Sequence, residues 1–212
     1  MHDIPELVDG YNNFLTNKYP AQADLYRSLA ETGQKPKTMI IACCDSRADP
    51  AVIFSAGPGE IFVVRNVANL VPPHEPDGDY HGTSSALEFA VEGIEVETIL
   101  VMGHARCGGI KAFLAGLYEP SGDAGFISRW MSLLNPARTE ALRDIHDAPI
   151  ERQQEALEHA AIRHSIENLK TFPCIKERVA DGRLILRGAY FDIADGTMLA
   201  LDPDSGKFVP LD

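Results

Sequence analysis

Along this chain the spacing of apolar residues keeps switching between two periods. Over residues 5–19 it is helical, with Leu7, Tyr11, Phe14 and Leu15 recurring on one stripe, and a second helical segment spans 22–29 before Gly33 ends it. At residue 38 the pattern becomes an unbroken apolar run to Cys43, as expected of a parallel strand buried on both faces. Similar runs at 61–64 and 98–102 predict two more strands, and residues 183–191 a fourth, with a short hairpin through Asp195-Gly196 after it. Helical segments fall between them: a short one at 50–54, one from Tyr80 into 82–92 with Thr83 or Ser84 as its cap, one at 107–117 and a pair at 126–134 and 137–145 split by Pro136. The longest spans 151–171.

Strands alternating with helices predict a single α/β domain: a central, mostly parallel β-sheet flanked by helices, preceded by an N-terminal helical arm. The expected boundaries are 1–34 for the arm and 35–212 for the domain. A length of 212 residues suits one sizeable core, and an apolar share of 45 % argues against disorder. The formal net charge of -12 disfavours a general nucleic-acid surface. Apolar runs are too short for a bilayer, so no membrane partner is expected. The N-terminus MHDIPELVDGYNNF lacks a basic region followed by an apolar core; a cytoplasmic location with reduced thiols is the expectation.

Ligand sites in such sheets gather beyond the carboxyl ends of the strands. The first strand ends in CCDSR, residues 43–47, and the third in GHARCGG, residues 103–109. If those strands are neighbours, a cysteine from the first end meets His104 and Cys107 from the other. Two thiolates and an imidazole form a catalytic zinc set with one position left for water. Adjacent strand residues face opposite sides, so spacing leaves the choice between Cys43 and Cys44 open. Cys174 follows Pro173 without a ligand partner nearby and reads as a packing thiol.

These two motifs, in this order, resemble those of the β-class carbonic anhydrases. Cys43, Asp45 and Arg47 match the family's Cys-x-Asp-x-Arg, and His104 and Cys107 match its His-x-x-Cys. Residues 58–73, PGEIFVVRNVANLVPP, and 82–104 are similar throughout, and the likeness extends more weakly to LRGAYFDIADG. The resemblance implies a Zn2+ enzyme interconverting CO2 and bicarbonate through zinc-bound hydroxide, with Cys43, His104 and Cys107 as the metal ligands. It also settles the choice of thiol, since the family's ligand lies two residues before the aspartate. Asp45 then orients the nucleophile, and Arg47 holds Asp45 ionised and off the metal through its rigid fork. A noncatalytic zinc or bicarbonate-binding protein is the contrasting expectation.

The resemblance further implies that Gln34 donates to substrate, that Phe62, Val67 and Phe89 line an apolar pocket for CO2, and that the Gly108 amide contacts an anion. Phe89 departs from the tyrosine usual in the plant-like branch. The bicarbonate-inhibited branch carries a tryptophan where this chain has Ile40 and a tyrosine near Phe191, so the chain is closer to the plant-like branch. The implied assembly is a homodimer or homotetramer in which the arm wraps a neighbour and Gln34 or Phe62 serves the partner's zinc.

Overall fold

The computed structural model describes residues 4–76, 81–118 and 125–211; Tyr80, the expected start of one helix, lies outside them. Six strands form one sheet in the order β2-β1-β3-β4-β5-β6. They are β1 Thr38–Cys43, β2 Ile61–Asn66, β3 Thr98–His104, β4 Ile185–Phe191, β5 Met198–Leu201 and β6 Phe208–Pro210. The first four pair in parallel, and β5 and β6 complete an antiparallel meander. The helices are α1 Pro5–Asn13, α2 Tyr19–Thr32, α3 Pro50–Ile53, α4 Gly82–Glu88, α5 Gly108–Leu114, α6 Phe126–Met131, α7 Asn135–Ala141, α8 Ile150–Leu169 and α9 Pro173–Ala180.

One sheet face carries Met39, Ile41, Ile99 and Val101 against Leu87, Ile162, Ile166, Leu169 and Ile175. Alternate residues of the same strands, Ile40, Ala42 and Met102, face the other way with Ala189, packing against Ile53, Leu100 and Met198. A third cluster caps the carboxyl end of the sheet, where Ile110, Phe113, Met131, Leu134 and Leu157 surround Cys43 and Cys107. Helix α8 spans the first and third clusters, giving Ile162 and Ile166 to one and Leu157 and Ala161 to the other.

Several elements differ from the sequence expectation. A π-helical turn at Phe14–Lys18 joins α1 to α2, so the arm is one helical run rather than two segments. No residue of this run is buried. It touches its own domain where Leu29 rests on Gly59; a Cβ there would sit 2.9 Å from Leu29 Cδ2. Neither Thr83 nor Ser84 caps α4, because that helix already begins at Gly82 without a side-chain cap. Pro136 does not divide two helices but sits in the first turn of α7, where its missing N–H is tolerated. Helix α9 and strand β6 had no strong periodic signal, being short. Cys174 is half-buried. Among the described residues no helix is long and apolar enough to cross a membrane.

Candidate active site

Parallel pairing of β1 with β3 brings the two motif-bearing strand ends side by side. Cys43, His104 and Cys107 are all buried, and their ligand atoms lie within 4.8 Å of one another. Cys43 Sγ and Cys107 Sγ are 4.0 Å apart. Two sulfurs on a tetrahedral zinc, each about 2.3 Å from it, stand about 3.8 Å apart. The carbonyl of Ala105 accepts from His104 Nδ1 at 2.9 Å, which fixes the tautomer and turns the lone pair to Nε2. That Nε2 is buried with no hydrogen-bond partner among the described residues. An orphaned acceptor between two converging thiols is what a metal would satisfy, so the three residues fit zinc. Cys44, by contrast, is exposed.

The sulfurs perturb each other. The hydrogen bond from Cys107 holds the Cys43 thiol low, helped by His104 and by the Asp45 and Ala68 amides; the same contact, with burial, pushes Cys107 up. Ala68 and Asn69 both adopt left-handed backbone, with φ of 64° and 49°. This strained turn is fastened by Asn66, whose Oδ1 accepts from Leu70 N and whose Nδ2 donates to Leu70 O. It aims the Ala68 amide at the Cys43 sulfur.

Asp45 stands at the rim. Arg47 grips it with Nε to Oδ1 at 2.9 Å and a terminal nitrogen to Oδ2 at 2.7 Å, and the Arg47 amide adds a third bond. These bonds hold the Asp45 carboxyl well below the usual carboxylate range. Its Oδ2, held by Arg47, lies 4.0 Å from His104 Nε2. Arg65 on β2 stakes the whole loop, donating to the carbonyls of Cys43 and Asp45 and pairing with Asp49 at 2.5 Å.

The remaining candidates do not all gather here. Val67 does: its side chain abuts Gly109 at the start of α5, and its carbonyl accepts from Trp130. Gly108 is exposed at the head of α5, with open space where a Cβ would be. Phe62 and Phe89 pack together with ring centres 5.9 Å apart, but Phe62 pairs with Met39 while Asn66 pairs with Cys43. Four residues of strand, about 13 Å, separate those positions. Gln34 precedes β1, lies at the end of the sheet away from Cys43, and is exposed. Within one chain, these three do not meet the Cys43 group.

Sequence reasoning missed a buried carboxylate behind the site. Glu158 on α8 accepts from the Cys107 amide and from Tyr190. Burial pushes its pKa up, against the pull of those hydrogen bonds. A charged residue on the apolar stripe of α8 was the available signal.

A model of the carbonic anhydrase family matches residues 38–198. Beta carbonic anhydrase 3 of Arabidopsis thaliana is 37 % identical over 92 % of this chain and 75 % of its own length. The chloroplastic beta carbonic anhydrase 5 of the same plant is 40 % identical over 85 % of this chain; the match spans 58 % of that relative. Among solved structures, the β-carbonic anhydrase CcaA superposes with a TM-score of 0.89 at 30 % identity, covering 99 % of this chain and all of that one. A tetrameric β-carbonic anhydrase from Sordaria macrospora gives 0.80 at 26 % identity over 95 % and 98 % of the two chains. With its paired strand ends, its three converging ligands and these relatives, the chain belongs to the β-class carbonic anhydrase family.

Proposed function

We propose that this chain hydrates CO2 reversibly to bicarbonate and a proton, using zinc held by Cys43, His104 and Cys107. The observation that carries this is the buried, unpartnered His104 Nε2 beside two sulfurs 4.0 Å apart, with an arginine-held carboxylate at its rim. When bound, zinc supplies the Lewis acidity that makes a water nucleophilic near neutral pH.

The side chains do the rest. Asp45 stays ionised across the physiological range, so it accepts a hydrogen bond from the attacking water and orients its lone pair toward carbon. Arg47 keeps that carboxylate from turning onto the metal, because doing so would break a bidentate charge-assisted pair. The Gly108 amide, at the head of α5, faces the developing anion. Val67 supplies part of an apolar wall for CO2; Phe62 and Phe89 supply the rest from a second copy of the chain, whose Gln34 amide donates to substrate. Two observations support a homodimer or homotetramer: the far position of those three residues in one chain, and an arm with no buried side chain. The tetrameric Sordaria relative agrees with it.

Stopped-flow CO2 hydration on zinc-loaded protein tests the activity. Turnover between about pH 7 and 9 is expected; tightly bound zinc with no turnover across that range would identify a noncatalytic zinc protein instead.

A further inference from the structure

The chemistry above makes no use of Glu158, yet this carboxylate is 2 % exposed. Burying a carboxylate costs several kcal/mol before its bonds are counted. Those bonds converge on one residue of the site. Glu158 Oε1 accepts from the Cys107 amide at 2.8 Å and from Gln154 Nε2 at 2.8 Å, and Oε2 accepts from the Tyr190 hydroxyl at 2.8 Å. Gln154 Nε2 also donates to the Cys107 carbonyl at 3.2 Å. Both peptide groups flanking the Cys107 Cα are therefore tied to α8.

The turn between the two ligands needs such ties. Arg106 lies between His104 and Cys107 with φ 57°, left-handed backbone in a residue with a long side chain. L-residues pay a steric penalty for that conformation, because Cβ crowds the neighbouring backbone. Cys107 stands just before the first turn of α5, where its amide has no acceptor within the helix. Without an outside partner, both facts favour relaxation of the turn and dispersal of the ligand set.

We propose that Glu158, assisted by Gln154, is a positioning residue that clamps the Cys107 peptide groups and so sets the His104–Cys107 turn for metal before metal arrives. The inference rests on the zinc reading above. It concerns geometry and not the charge of Glu158, and this separates the variants. In Glu158→Gln, the side-chain carbonyl still accepts from Cys107 and Gln154, while the new NH2 donates to the Tyr190 oxygen. In Glu158→Ala, every tie to the amide is lost.

The experiment is a competition between protein and a chromophoric chelator for Co2+, with the thiolate-to-cobalt absorption recorded on each variant and apo-protein melting as the folding control. Co2+ binding by the native chain tests the metal reading; the ratio among variants tests the clamp. Glu158→Ala should bind about 10–100-fold more weakly, with an altered absorption band. Glu158→Gln should stay within about threefold, since neutral hydrogen bonds replace charge-assisted ones in the same geometry. Native affinity and spectrum in a folded Glu158→Ala would overturn the proposal, as would a Glu158→Gln as weak as the alanine variant. Should Glu158→Ala fail to fold, Gln154→Ala decides: it cuts the carbonyl tether and should weaken Co2+ severalfold, and unchanged binding would refute the clamp.

Discussion

The two ends of β1 differ in how complete they are. At Cys43 everything is enclosed within one chain: both sulfurs and the imidazole are buried, and Asp45, Arg47 and Arg65 lock the loop above them. At the Thr38 end, Gln34 is exposed and Phe89, packed at a tilt against Phe62, is 59 % exposed. The contrast follows from how each end is built. Ligands separated by two residues, or carried on adjacent parallel strands, meet as soon as the sheet forms. Phe62, with Phe89 packed against it, stands at the far end of the same strands, about four strand residues from Cys43 within one chain, and the proposed dimer would bring both to a second copy's site across a symmetry axis.

The largest effect should come from breaking the enclosed end. Cys43→Ser should strip zinc and abolish hydration, whereas Cys44→Ser should keep both; metal analysis of the two purified variants checks this. Next, Asp45→Asn should retain zinc yet lose about 10–100-fold in kcat, the range found when a partner of the metal shell is changed. Stopped-flow assays with parallel metal analysis separate lost chemistry from lost metal.

The comparison itself is sharpened by mixing. Cys43→Ser has an intact pocket wall and no metal; Phe62→Ala has metal and a damaged wall. If the wall crosses between subunits, coexpression restores about a quarter of the native sites through random heterodimers. Activity no greater than the sum of the separate variants would place the wall within one chain.

The smallest effect concerns stability behind the enclosed end. His159 is stacked on Phe208 at 4.2 Å and edge-on to Tyr190 at 4.3 Å, with a buried Nε2 that has no partner among the described residues. Burial, aided by Arg163, pushes its pKa down to about 4. The unfolded chain therefore takes up a proton near pH 6.5 that the folded chain refuses until about pH 4. Stability should fall on acidification through that window, by about 3 kcal/mol at most. Urea unfolding at several pH values should show the slope, and His159→Phe should flatten it.

The His104–Cys107 and Asp45–Arg47 pairs were readable from short spacing at the ends of strands whose period is plain, whereas the choice of Cys43 over Cys44 came only from likeness to a family. Helix α8 was equally plain, yet its role was not. Glu155 and Glu158 look alike in QEALEHAA, and only packing makes one exposed and the other buried. Helical phase was the remaining clue, since Glu158 shares its face with Gln154, Ala161, Ile162 and Ser165. The bond from Glu158 to Cys107 spans 51 positions, a distance at which spacing carries no information. Gln34 and Phe62 show the converse. They were singled out through likeness to a family, yet within one chain they lie at the end of β1 away from Cys43, and the role proposed for them needs an assembly that one chain's pattern does not encode.

Ile162 lies one helical turn after Glu158 and sits over two glycines of the sheet. A Cβ at Gly103 would come within 2.7 Å of its Cδ1, and one at Gly188 within 3.0 Å of its Cγ2. These absent methyl groups act as a gauge for the height of α8 above β3 and β4, and so for the reach of the carboxylate behind Cys107. Swapping residues at 103 and 162 is therefore a coupled change, because the same side chain fills the space above the glycine. An alanine at 103 would need a smaller side chain at 162, whereas one at 188 would need room from Leu201 as well, whose Cβ lies 3.0 Å from the same point.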